Sequence, residues 1–250
     1  MTKVLLAGET WISEATHYKG FDSFTSVTFH SGADDYISAL KANGIEVHHM
    51  AAHDVPQEFP STAAELSKYD VVVLSDIGAN SFQLPPETWL EGKASADRLG
   101  VLAQWVHDGG ALMMAGGYLS FQGFQARANF ARSRIAPVLP ITMSDYDDRI
   151  EASEGAQVRG AKGELSSLVA AGAPALLGYN RVEAKKDAIV HATVGEDVLI
   201  ATGSYGSGRT LVWTSDIGPH WCPKTFVEWS GFQPLMAGMI KWLATGEESL

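Results

Sequence analysis

The sequence holds a single cysteine, Cys222, in 250 residues. That excludes an internal disulfide and any site built on several thiolates. Positive charge is also scarce. Lys and Arg number 18 against 29 Asp and Glu, a net charge of −11, which repels a phosphate backbone and offers no basic stripe to hold nucleic acid. No apolar run approaches the roughly 20 residues a membrane-spanning helix requires. The opening residues Met1–Gly8 carry one lysine and too short an apolar stretch for a signal peptide, so a cytoplasmic location is expected. Internal repeats, linkers and low-complexity stretches are missing.

Apolar residues are plentiful: they make up 46% of the chain, enough to bury a large core as one α/β domain spanning residues 1–250. In the first half, short apolar runs alternate with segments of helical period, the pattern of a parallel sheet covered on both faces. Val4–Ala7, Glu46–Met50, Val71–Ser75 and Ala111–Ala115 read as buried strands, and Asp34–Asn43 and Asp97–Asp108 as helices. Further on, Val198–Tyr205 and Arg209–Ser215 flank Gly206-Ser207-Gly208, a hairpin signal that adds antiparallel strands. Gln233–Leu243 reads as a closing amphipathic helix.

Ligands in such sheets bind beyond the carboxyl ends of the strands, so the loops there carry the candidate chemistry. The connection from Gly8 to Gly32 is far longer than usual and holds Glu9, Trp11, His17 and several other aromatics. It reads either as a loop covering a pocket or as a flap with its own small core. After the third strand, Asp76 either caps the next turn, the preferred reading, or offers a carboxylate to a ligand beside Asn80.

The run Ala111–Ala115 ends in Gly116-Gly117-Tyr118-Leu119-Ser120-Phe121, the corner at which a strand breaking into a helix mounts a nucleophile. No thiol sits there, and Ser120 lies off the tip of a Gly-x-Ser-x-Gly pattern, so it is expected to cap a helix. Tyr118 is the candidate to face a ligand, and backbone N–H groups over 116–119 could hold an anion. Tyr146-Asp147-Asp148-Arg149 reads as an ion pair fixing a surface turn. A last loop gathers Asp216, His220, Trp221 and Cys222. Asp216 there can orient His220 as a general base, while Cys222 is a nucleophile only where its pKa is lowered. No His-x-His, Cys-x-x-Cys or His-Glu-x-x-His spacing supports a metal, and nothing calls for another cofactor.

Together the segments Lys19–Phe24, Leu74–Asn80, Gly116–Phe121, Tyr146–Arg149, Gly178–Arg181 and Thr214–Trp221 resemble the glutamine amidotransferase-like proteins of bacteria, over nearly the whole chain. The resemblance implies a flavodoxin-like three-layer α/β sandwich with a mostly parallel sheet and an antiparallel C-terminal hairpin. In the wider superfamily a cysteine occupies the corner and a histidine followed two places later by glutamate lies after a late strand. Here Gly117 or Tyr118 stands at the corner and His220 is followed two places later by Cys222, so no glutamyl thioester can form in the usual way. The chain is also similar to trehalose-utilisation-type proteins, which share the fold without the corner thiol. That similarity implies that Trp11, Tyr118, Phe121 and Trp221 stack on a sugar or sugar-derived ligand while Asp76, Asp216 and His220 make polar contacts.

These readings converge on a small-molecule pocket with His220 and Asp216 as an acid/base pair and Glu9, Trp11, His17, Asp76, Asn80, Gly117, Tyr118, Ser120, Phe121 and Trp221 around the ligand. Two alternatives stand beside it: a non-catalytic binding or assembly module on the same scaffold, and a glutaminase that uses Cys222. A homo-oligomer contact through the last helix is also open.

Overall fold

A computed structural model describes residues 1–169 and 172–246. Fourteen strands are present among them. Eight form the central sheet: β1 (Lys3–Gly8), β4 (Glu46–Met50), β5 (Val71–Ser75), β6 (Ala111–Ala115), β9 (Val158–Gly160), β12 (Ile189–Val194), β13 (Asp197–Tyr205) and β14 (Gly208–Trp213). Their order is β4-β1-β5-β6-β14-β13-β12-β9. The first five run parallel, and β13, β12 and β9 add antiparallel pairings at one side. Three two-stranded sheets stand apart: β2 (Thr10–Lys19) with β3 (Asp22–Ser31), β7 (Ile141–Thr142) with β11 (Glu183–Ala184), and β8 (Arg149–Ala156) with β10 (Leu176–Asn180).

Strand side chains alternate between two cores. Val4, Leu6, Val71, Val73, Met113, Leu211 and Trp213 face one side, where helices Asp34–Ala42 and Phe232–Thr245 supply Tyr36, Leu40, Leu235, Met239 and Ile240. Leu5, Ala7, Val72, Leu74, Leu112, Met114 and Val212 face the other, against Leu99, Leu102 and Val106 of helix Arg98–His107. Both faces are covered, which is why these strands read as unbroken apolar runs rather than alternating ones. The result is a flavodoxin-like three-layer α/β sandwich.

The four expected parallel strands lie where the periodicity places them, as do the late hairpin and the closing helix. Two segments differ. Residues 9–31 do not form a loop: Thr10–Lys19 and Asp22–Ser31 pair over their full length as a hairpin, turned by Gly20 at φ 67° and rich in β-branched residues. Nor does a helix follow β6. The chain winds through turns and two short 3₁₀ segments, Phe124–Ala126 and Phe130–Arg132, pinned from outside. Asp148, expected on the surface, is buried and accepts the N–H groups of Gln122 and Gly123, both at 2.9 Å.

Candidate functional site

The chain steps outward from β1 to β4 and then crosses to β5 on the other side of β1, so the strand order reverses between β1 and β5. Loops leaving adjacent strands in opposite directions open a crevice at such a point. Four successive parallel strands deliver their carboxyl ends here. Glu9 follows β1, Asp76 follows β5, Gly117-Tyr118 follows β6 and Asp216 follows β14. A cleft of about 300 Å³ is lined by Glu9, Trp11, Asp76, Tyr118, Asp216, Pro219 and His220.

The backbone at these ends is unusual. Glu9 has φ 56° and Asp76 φ 42°, a left-handed conformation that side chains other than Gly, Asn and Asp rarely adopt. Each turn is over-determined by its bonds. Glu9 N–H donates to the Ser75 carbonyl at 2.9 Å, and the Ser75 hydroxyl donates to Glu9 Oε2 at 2.5 Å. Asp76 N–H donates to Ser120 Oγ at 3.0 Å, and Asp76 Oδ1 accepts from Leu119 N–H at 2.7 Å. Asp76 therefore does not cap its own turn, and Ser120 caps no helix; the two tie the β5 and β6 loops together.

At the corner itself, Gly117 has φ 140°, and a Cβ there would lie 2.7 Å from Asp76 Oδ1. The space above the corner is filled by the Asp76 carboxyl. The backbone donors around it are committed as well. Gly116 N–H reaches the carbonyls of Trp213 and Ser215, Gly117 N–H reaches Asn180 Oδ1 at 3.0 Å, and Leu119 N–H reaches Asp76. Of the N–H groups over 116–119, those of Gly116, Gly117 and Leu119 are thus already taken by the protein's own carbonyls and side chains.

Burial of three neighbouring carboxyls shapes the electrostatics. Desolvation first, then the charges of Asp76 and Asp216, holds Glu9 well above the usual carboxylate range. Asp76 is also raised by burial, against the pull of the Leu119 hydrogen bond and His220. For Asp216, burial and then the Asp76 charge push the carboxyl up to about 8, opposed by the bond from Trp221 N–H at 3.1 Å. A carboxylic acid so placed holds its proton at neutral pH and can donate it.

His220 stands at the rim, mostly exposed. Its Nδ1 is 3.9 Å from Asp216 Oδ2 and its Nε2 4.0 Å from Glu151 Oε2, too far for direct hydrogen bonds. The ring sits edge-on to Tyr118, with centroids 5.1 Å apart. The Tyr118 hydroxyl donates to Glu151 Oε1 at 2.7 Å, and Trp221 Nε1 donates to Glu151 Oε2 at 3.0 Å. Arg149 lies over the rings of Phe124 and Tyr118 at 4.1 and 5.4 Å. Glu151 thus organises the rim.

Among the sequence candidates, Glu9, Trp11, Asp76, Tyr118, Asp216 and His220 come together in the cleft. Others do not line it. Asn80 is exposed at the start of the short helix Asn80–Gln83. His17 lies out along the hairpin, stacked on Phe24 and bonded to Ser26 Oγ at 2.8 Å. Phe121 is wholly buried in the second core rather than open to a ligand. Trp221 is likewise wholly buried, packed so closely on Gly178 that a Cβ there would lie 2.1 Å from its Nε1. Cys222 is buried in the first core, and burial raises its thiol pKa, with the charges of Asp216 and Glu9 adding to the effect. That is the opposite of what a thiolate nucleophile needs.

Sequence reasoning missed Glu151, Asn180 and Asp148. Asn180 donates to the Gly117 carbonyl at 3.2 Å and to Asp148 Oδ1 at 2.8 Å while accepting from Gly117 N–H, which locks the corner. Asn180 and Asp148 each lay in a noted motif, but a buried polar clamp across 63 residues leaves no local pattern. Among the described residues no cluster of three or more His, Cys, Asp or Glu is placed to hold a metal ion. No helix there is long and apolar enough to cross a membrane.

Comparison with known proteins agrees with this architecture. The family model described as "Putative glutamine amidotransferase" matches residues 3–245, and the chain belongs to that family. Two proteins of Salmonella typhimurium, titled Cytoplasmic Protein STM3548 and Cytoplasmic Protein STM1381, are each 38% identical to it with a TM-score of 0.92. The alignments cover 96% and 97% of this chain and 98% and 99% of theirs. A ThuA-like protein of Parabacteroides merdae, 15% identical with a TM-score of 0.53, is aligned over 100% of this chain and 92% of its own and shares the fold. No curated protein matches the sequence.

Proposed function

We propose that the whole chain acts as one cytoplasmic domain whose cleft binds a small polar metabolite, of the polyol or sugar-derived kind, and exchanges a proton with it through Asp216 and His220. One observation carries the reading. A buried carboxyl with its pKa near 8 opens onto the same 300 Å³ cleft as an exposed imidazole and two aromatic rings. Protonated acids donate hydrogen bonds to hydroxyl oxygens, carboxylates accept from hydroxyls, and the faces of Trp11 and Tyr118 suit the apolar side of a sugar ring. An anionic ligand suits the cleft poorly, since no lysine or arginine is among the residues that line it and the Glu151 carboxyl stands at its rim. Burial first, and then the charges of Asp76 and Glu151, hold Asp216 protonated.

Glutamine hydrolysis is disfavoured by the packed Gly117 corner and the buried, protonated Cys222. The non-catalytic alternative draws on a specific feature. The gap of 3.9 Å between His220 and Asp216, with Asp216 already bonded to a backbone N–H, fits a recognition pocket as well as a catalytic one.

A thermal-shift screen of neutral hexoses and polyols, amino sugars, sugar acids and glutamine tests the proposal, because a ligand bound only by the native state raises its melting temperature. Neutral or amino sugars are expected to stabilise the wild type and to lose that effect in Trp11→Ala. Turnover of the hit that disappears in His220→Ala separates catalysis from binding. Ammonia released from glutamine and abolished by Cys222→Ala would overturn the reading.

A further inference from the structure

The hairpin β2–β3 leaves the body of the protein. Only its base is anchored: Thr10 Oγ1 accepts from Ala52 N–H at 2.7 Å, and the Phe29 ring meets the edge of His53. Ten residues per strand extend about 33 Å. A two-stranded ribbon of this kind is at best marginally stable alone in water, and among the described residues no third strand pairs with either edge.

Its two faces differ in chemistry. One, made by Trp11, Ser13, Ala15, His17 and Lys19 with their partners, is knitted internally. Trp11 stacks on His30, His17 stacks on Phe24, and Ser13 and Ser26 bond the two imidazoles. The opposite face presents Ile12 at 57% exposure, Tyr18 at 78%, Val27 at 68% and Phe29 at 53%, with Glu14, Thr16, Ser23 and Thr25 between them, and Phe21 at the tip is fully open. So many large apolar side chains exposed on one small ribbon mark a surface that is covered in use.

We infer that this face of the hairpin is an assembly arm that docks a second copy of the chain. Area and charge select that occupant. At these exposures Ile12, Tyr18, Phe21, Val27 and Phe29 together carry roughly 800 Å² of accessible surface, the order of what each partner contributes to a stable interface. The arm carries Glu14 and Asp22 against Lys19 and is nearly neutral, on a protein whose net charge is −11, so two copies meet there with the least repulsion. One lysine gives no hold on an anionic lipid surface. Two open strand edges allow two arms to pair about a two-fold axis as well as pack face to face.

Light scattering after size exclusion at about 50 μM, above the Kd expected for an interface of this size, tests the inference. The wild type is expected at twice the 26.8 kDa chain mass. The triple variant Ile12→Thr, Tyr18→Thr, Val27→Thr keeps β-forming residues and is expected at the single-chain mass. Phe24→Thr, which removes an aromatic from the opposite face, should stay at twice the mass. Far-UV circular dichroism and melting temperature confirm that each variant is folded, since none touches the core. A wild type at the single-chain mass overturns the inference, whether or not it binds vesicles, and so does a triple variant that keeps the doubled mass.

Discussion

The switch-point end of the sheet and the β2–β3 arm use polarity in opposite ways. At the strand ends the protein buries ionisable groups, with three carboxyls out of water, two of them on left-handed turns, each held by backbone or hydroxyl donors. Along the arm it exposes apolar side chains with no core beneath them. Each arrangement costs free energy that folding alone does not recover. The contrast teaches where to seek function: a cleft that keeps protons on acids is built for a ligand, and a bare ribbon is built for a neighbour. Trp11 joins the two, since it sits on the arm yet lines the cleft.

The contrast is tested first where packing is tightest. Gly117→Val places a branched side chain at φ 140° against Asp76, and overpacking with backbone strain is expected to remove about 3–5 kcal/mol. At roughly 2–4 °C per kcal/mol for a chain of this size, denaturation should show it plainly; an unchanged melting temperature would mean that the corner is open. Next comes Asn180→Ala, which leaves the buried Gly117 N–H unpaired and Asp148 without one donor. A loss of about 2–3 kcal/mol in chemical denaturation is expected.

The pH dependence follows with its sign fixed by burial. Between the ordinary carboxylate range and about 8, native Asp216 retains a proton that the unfolded chain has released, so stability falls as pH rises through that window. Asp216→Asn, whose amide oxygen still accepts from Trp221 N–H, should flatten that slope and gain on the wild type most at pH 8. A parallel pair of stability profiles would contradict the assignment. The smallest effect belongs to the arm. Val27→Thr alone should change the stability of the separated chain by no more than ~0.5 kcal/mol while weakening self-association measured by sedimentation.

How much of this was legible in the sequence depends on how local each signal is. The parallel strands were readable because Val71–Ser75 and Ala111–Ala115 are apolar on both faces, a condition that leaves an unbroken run. The arm was not, because its strands carry no core and so show no buried stripe. A length of 22 residues with Gly20 at its midpoint was the one available cue. Glu9, Asp76 and Asp216 stood out as acids directly after apolar strands, whereas Glu151 sits on an exposed strand and acts through contacts with distant residues, Tyr118, Trp221 and His220. Phe121 and Trp221 were misplaced for a common reason: an aromatic in a loop after a strand looks the same in sequence whether it faces the ligand or the core.

The central claim is that the cleft keeps a buried acid protonated at neutral pH. A ¹³C NMR titration of the aspartate side-chain carboxyls, with the Asp216 signal assigned by its loss in Asp216→Asn, measures this directly. A midpoint near 8 is the result this account predicts; a midpoint near 4, the value of an ordinary solvated aspartate, would contradict it.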